Sequence, residues 1–108
     1  MRNILDELYN LILERRAQNE QGSYTAYLFE KGIDKILKKC GEECMEVAIA
    51  TKNGDKKEIV NEVCDLMYHL VILLANEDVP LKAVFEELEA RMQKQGNLKE
   101  MKQTDKNS

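Results

Sequence analysis

Tryptophan is absent from this chain, proline occurs once, and aromatic residues make up only 6% of the 108 positions. Strands draw on aromatic and β-branched residues, and Leu, Glu, Lys, Ala and Met dominate here instead, so the composition favours helix. No apolar run reaches the roughly 18 residues that a membrane span needs, and no apolar segment of the secretory kind follows Met1-Arg2-Asn3. The expectation is a cytoplasmic protein with no membrane partner. The three cysteines, Cys40, Cys44 and Cys64, are odd in number and lack C-x-x-C spacing. They are expected to be reduced thiols serving as small core residues, not metal ligands or redox groups.

A basic surface is missing as well. The net charge of −4 gives no footprint for duplex or single-stranded nucleic acid. An anionic substrate therefore needs a metal ion or a local group of lysines, and Lys35, Lys38 and Lys39 supply such a group. With 44% hydrophobic and 33% charged residues, the chain is expected to form one small all-α domain over residues 1–93. Residues 94–108 lose apolar periodicity and gain Lys, Gln and Asn, which reads as a polar, flexible tail.

Periodicity places four to five helices in an antiparallel bundle. Ile4, Leu5, Leu8, Tyr9, Leu11 and Ile12 recur at helical spacing over residues 3–17. After the polar break QNEQG, Ser23 can cap a short helix over YTAYLFEK that stops at Gly32. A long helix follows from Asp34 to about Lys52, with an apolar stripe of Ile36, Leu37, Cys40, Cys44, Val47 and Ala48. Met45 and Ile49 fall on its far side, apolar where a lone helix pair leaves them wet.

Asn53-Gly54 ends that helix, and Asp55 with Glu58 reads as a capping box for the next. Residues 56–76 are the most apolar segment, with Ile59, Val60, Val63, Cys64, Leu66, Met67, Leu70, Val71, Leu73 and Leu74 covering about 180° of the helix. The complementary stripe carries Glu58, Glu62, Asp65, His69 and Asn76, interrupted by Ile72. Pro80 then opens a last helix with Val84, Phe85, Leu88 and Met92 on its apolar side. Hydrophobic area at Met45, Ile49 and Ile72 is expected to be covered by a second subunit in a homodimer.

Two acidic pairs organise the chemistry. Glu43-x-x-Glu46 and Glu62-x-x-Asp65 each put two carboxylates on one helical face, and the short turn between their helices sets both pairs at one height in an antiparallel hairpin. Like charges about 4 Å apart repel by roughly 4 kcal/mol at an effective dielectric near 20. An all-oxygen set suits Mg²⁺, which bridges a few carboxylates to substrate phosphates. The plain alternative is a charged, solvated stripe, since such pairs arise by chance in helices rich in acid. His69 lies one turn beyond Asp65 and reads as support for the acids or a substrate contact, not a ligand for an oxygen-seeking ion. Glu42 projects about 100° away from Glu43 and reads as a surface residue. Tyr68 can stack on a base or fill the core, and Ser23 can be a cap alone or a cap that also touches phosphate.

The E-x-x-E, fifteen intervening residues, E-x-x-D arrangement resembles the signature of the all-α nucleoside triphosphate pyrophosphohydrolase superfamily, which includes dimeric dUTPases and MazG-type enzymes. Flanking words narrow the resemblance: Ser23-Tyr24-Thr25-Ala26, Leu28-Phe29, Lys31-Gly32, Lys35-Ile36, Lys38-Lys39 and Gly41-Glu42-Glu43. Lys52-Asn53 with Asp55, and Asp65-Leu66-x-Tyr68-His69-Leu70, extend it. From about residue 4 to residue 92 the chain is similar to the phosphoribosyl-ATP pyrophosphohydrolase family.

That resemblance implies a MazG-like bundle and Mg²⁺-dependent hydrolysis of 1-(5-phosphoribosyl)-ATP to the AMP derivative and pyrophosphate, the second step of histidine biosynthesis. It implies Glu43, Glu46, Glu62 and Asp65 as catalytic and metal-holding residues, with Ser23, Lys35, Lys38, Lys39, Tyr68 and His69 near the substrate. Some relatives carry a fused cyclohydrolase domain, and this chain is expected to perform one step only. The base and sugar recognised are not legible in the spacing. A house-cleaning nucleoside triphosphate pyrophosphohydrolase of the same superfamily is the alternative, and a non-catalytic helical dimerisation module is an alternative of another class.

Overall fold

A computed structural model describes residues 3–94. Five helices follow one another: α1 (Ile4–Gln18), α2 (Tyr24–Lys31), α3 (Ile33–Lys52), α4 (Lys56–Asn76) and α5 (Leu81–Met92). Among the described residues there is no strand, and no helix is long and apolar enough to cross a membrane. The expected tail falls almost wholly outside the described residues.

Each helix begins and ends where local chemistry dictates. The Asn3 side chain accepts from the Leu5 and Asp6 amides at the start of α1, and Ser23 Oγ accepts from the Ala26 amide at the start of α2. Gly32 closes α2 and opens α3 as a single joint residue, with φ 92° and ψ −174°, a region essentially reserved for glycine. Asp55 Oδ1 accepts from the Glu58 amide at 3.2 Å, one half of the expected capping box. Gly54 sits at φ 71° just before it, and so the α3–α4 turn needs only three residues. α4 ends in a Schellman-type turn in which Asp78 takes φ 55° and the Val79 amide donates to Leu74 O.

α3 and α4 form the central hairpin; α1 packs on α4 and on α2, and α2 in turn packs on α3. Ile12, Leu28, Ile36, Cys40, Val71, Ile72 and Ala75 make the core at their junction. Arg16 clamps its rim, donating from Nη1 to Ala75 O at 3.0 Å with its guanidinium 5.2 Å above the Phe29 ring. Tyr9 donates its hydroxyl to Val79 O, which pins the α4–α5 loop to α1. Between α1, α4 and α5 lies an apolar groove of about 280 Å³ whose walls include Leu5, Leu70, Leu81 and Phe85.

The rotation of the two central helices differs from the wheel expectation. On α3 the buried arc is Ile36, Cys40, Glu43 and Ala50, while Leu37, Cys44 and Ala48 are exposed. On α4, Ile72 is fully buried beside His69, Val71 and Ala75, whereas Val60, Val63, Cys64, Met67 and Leu70 are exposed. Ile72 therefore contributes no uncovered surface, and Cys44 and Cys64 are not core residues. All three thiols are free, and only Cys40 is buried. The reason is geometric: helices that bring Glu43 against Glu62 and Asp65 must turn their acid-bearing sides toward each other. Their richest apolar stripes then point outward.

Candidate metal and nucleotide site

Glu43 comes from the middle of α3, two turns before its C-terminal end, and Glu62 and Asp65 come from the facing stretch of α4. One carboxylate oxygen from each lies within 4.8 Å of the others. Glu46 is within hydrogen-bonding reach of both the Glu43 and the Glu62 carboxyl. All four acids of the two pairs therefore converge across the hairpin, at the height the three-residue turn imposes.

Burial makes this costly. Glu43 is only 5% exposed, and Glu43 Oε2 and Glu62 Oε2 are buried without a hydrogen-bond partner. Buried carboxylate oxygens left unpartnered are strongly unfavourable unless a cation or proton joins them. Protonation takes up part of the strain: the hydrogen bond that Glu62 donates to Glu46, followed by burial and the charges of Glu46, Asp65 and Glu43, lifts Glu62 to a pKa of about 7. Glu43 is raised chiefly by burial and next by its hydrogen bond with Glu46. Glu46 is lowered by the hydrogen bonds it accepts from Glu62 and Glu43, so it keeps its charge. An oxygen-only set with two orphaned atoms fits a hard divalent cation such as Mg²⁺.

Of the three lysines, Lys39 alone reaches the acids, its Nζ 3.8 Å from Glu43 Oε1 and 3.8 Å from Glu42 Oε1. Burial pulls its pKa down, and the charges of Tyr24, Glu42, Glu43 and Glu46 outweigh that and raise it. Glu42 joins the rim through this lysine. Lys35 is half-buried on the same stripe, and Lys38 is exposed on another.

His69 is 5% exposed and committed at both nitrogens. Nδ1 lies 2.7 Å from Asp65 O, and a carbonyl only accepts, so Nδ1 carries the proton. Nε2, 2.8 Å away, accepts from the Tyr24 hydroxyl. The histidine thus links the Asp65 backbone on α4 to Tyr24 on α2. Tyr68 is half-buried with its hydroxyl hydrogen-bonded to Thr25 Oγ1, and its ring meets His69 edge-on at 5.4 Å. Ser23 Oγ serves the α2 cap as an acceptor, from the Ala26 amide. Tyr24 and Thr25 were not singled out by spacing, because their partners are 45 and 43 residues away.

A family model described as phosphoribosyl-ATP pyrophosphohydrolase matches residues 5–92. The chain belongs to that family. A phosphoribosyl-ATP pyrophosphatase of Clostridium novyi is 50% identical over 97 residues, 90% of this chain and 88% of the relative. One from Listeria welshimeri is 53% identical over 102 residues, covering 94% of this chain and 98% of the relative. A histidine biosynthesis bifunctional protein of Caldanaerobacter subterraneus subsp. tengcongensis is 56% identical over 91 residues, 84% of this chain but 44% of its own length. The present chain thus corresponds to part of that longer protein and to nearly all of the first two.

Proposed function

We propose that this protein hydrolyses 1-(5-phosphoribosyl)-ATP to 1-(5-phosphoribosyl)-AMP and pyrophosphate as a cytoplasmic enzyme of histidine biosynthesis, with Mg²⁺ held by Glu43, Glu46, Glu62 and Asp65. The observation that carries the reading is the pair of buried carboxylate oxygens, Glu43 Oε2 and Glu62 Oε2, left without a hydrogen-bond partner where the acids of α3 and α4 converge. Membership of the family supports the choice of substrate.

Water adds to a phosphorus of the α–β anhydride, the bridging P–O bond breaks, pyrophosphate departs, and the water's proton passes to a carboxylate. In this reading Glu46 or Glu43 takes it. Hydrogen bonds from Glu62 and Glu43 hold Glu46 ionised but make it the weaker base, whereas burial raises Glu43 and with it the proton affinity of its carboxylate. Mg²⁺, when bound, supplies the countercharge that lets a polyphosphate approach these acids. Lys39 adds a fixed positive charge at the edge of the ring, and Lys35 and Lys38 extend it along α3. In this reading Ser23 and Tyr68 stand on the substrate side, with His69 buried behind them.

We further propose a homodimer built on the outward faces of α3 and α4. Met45 and Val60 are each 62% exposed and Ile49 53%, a density of apolar surface that a stable monomer rarely presents. Pyrophosphate release measured on phosphoribosyl-ATP against dCTP, dUTP and ATP tests the function. The expected result is strong preference for phosphoribosyl-ATP and dependence on Mg²⁺. Equal turnover of a free nucleoside triphosphate overturns the substrate assignment, and indifference to both Mg²⁺ and Glu62→Gln overturns the enzymatic reading. Sedimentation showing a stable monomer at micromolar concentration overturns the dimer.

A further inference from the structure

Tyr24 stands at the first position of α2 with the residue 44% exposed, although its hydroxyl is tied inward to His69 Nε2. His69 is itself fixed by Asp65 O, and it follows the Asp65 ligand candidate by one helical turn, about 6 Å along the axis. The phenol therefore lies within a nucleotide's length of the acids. Its pKa is raised by burial first, with Lys39 opposing and Tyr68, Glu43 and Tyr27 adding to the rise, as its position beside the carboxylates requires.

Three tyrosine rings run in a staggered row there. Tyr27 and Tyr68 lie 6.2 and 6.3 Å from Tyr24, at interplanar angles of 27° and 22°. They differ in availability. Tyr68 is half-buried and spends its hydroxyl on Thr25, and Tyr27 carries Lys31 Nζ over its ring at 5.8 Å. Tyr24 alone combines an exposed ring with a rotamer held from behind. A hydroxyl already donated to a buried acceptor is poorly placed to act on a phosphate, so what Tyr24 offers is its face. Aromatic faces accept any base by stacking, and a ring fixed beforehand loses little entropy when it does so.

We propose that Tyr24 is the surface on which the substrate's purine stacks, and that His69 is a positioning residue that holds that ring. The inference deepens the nucleotide-hydrolase reading above and rests on it. Titration calorimetry in Mg²⁺ buffer with two separate probes, AMP and pyrophosphate, reads it directly. Tyr24→Leu is expected to weaken AMP by about tenfold while pyrophosphate, which lacks a base, changes by less than about twofold. Tyr24→Phe keeps the ring and loses only the tie, so AMP weakens by about threefold. In the Tyr24→Phe background, His69→Leu adds no further loss, because a positioning residue acts only through the bond already removed.

Unchanged AMP affinity in Tyr24→Leu, or equal losses for AMP and pyrophosphate, overturns the stacking surface. Unchanged AMP affinity in Tyr24→Phe, or an additive effect of His69→Leu, overturns the positioning role. Should Tyr24→Leu not fold, Tyr24→Phe decides the matter through KM and kcat on phosphoribosyl-ATP, a rise in KM supporting the inference and a fall in kcat alone overturning it. A wild-type protein that binds AMP through Tyr24 yet leaves phosphoribosyl-ATP intact refutes the proposed function and leaves this inference standing.

Discussion

Where α3 meets α4, Glu43 is 5% exposed and His69 5%, while on the outward sides of the same two helices Met45 and Val60 are each 62% exposed. Solvent alone selects the reverse distribution, since burying carboxylates without cations is unfavourable and exposing contiguous apolar side chains forfeits their burial. The inner seam thus keeps buried acid, and the outer faces keep apolar side chains in solvent. Neither side of the hairpin is at its most stable as a single bare chain.

The sharpest way to break this contrast is at Glu43. Glu43→Gln removes one buried charge from the ring, and kcat/KM for phosphoribosyl-ATP is expected to fall by at least about 100-fold. The melting temperature without metal stays the same or rises, because repulsion is relieved. A large drop in metal-free stability means that the acids hold the fold, and the contrast fails. Next comes Val60→Asp on the outer face. We expect sedimentation to shift to the monomer and the melting temperature to fall by roughly 4–8 °C for each 1 kcal/mol lost, with secondary structure retained. A dimer that survives this change places the interface elsewhere.

The pH dependence is a subtler probe. A carboxyl whose pKa in the folded state is raised from 4.5 to about 7 binds more protons folded than unfolded across that interval. Its contribution to stability is therefore lost as pH rises through the window. Metal-free protein is expected to melt lower at pH 8 than at pH 5, Mg²⁺ is expected to restore the loss, and Glu62→Gln is expected to flatten the slope. A melting temperature that climbs over the same interval contradicts the assignment. Ser23→Ala has the smallest expected effect, about 1 kcal/mol through loss of the α2 cap. A rise in KM on top of that loss adds a phosphate contact to the hydroxyl's role.

Helix ends were legible because caps are local: Ser23, Asp55 and Gly54 act within three residues, and each does what its type predicts. Hairpin register was legible for a related reason, since a three-residue turn leaves the acidic pairs nowhere else to meet. Helix rotation was not. Counting apolar residues around α3 and α4 assumes one buried side, and the count therefore placed Leu37, Cys44 and Met67 inside and Ile72 outside. A helix that buries its acid-bearing side and leaves Val60, Met67 and Leu70 exposed has no single apolar stripe to find. The Tyr24–His69 bond was hidden for another reason, because it joins residues 45 apart whose types carry no shared spacing.

One joint sets the geometry between the tyrosine row and the acids. Gly32 ends α2 and begins α3 with no residue to spare, so the stretch from Tyr24 to Glu43 is in effect a rigid ruler bent once. A single inserted residue within either helix turns everything beyond it by about 100°, parting the phenol from its imidazole or the carboxylate from its neighbours. Among the described residues, the connections with room for an added residue are the longer ones, at 19–23 and 77–80.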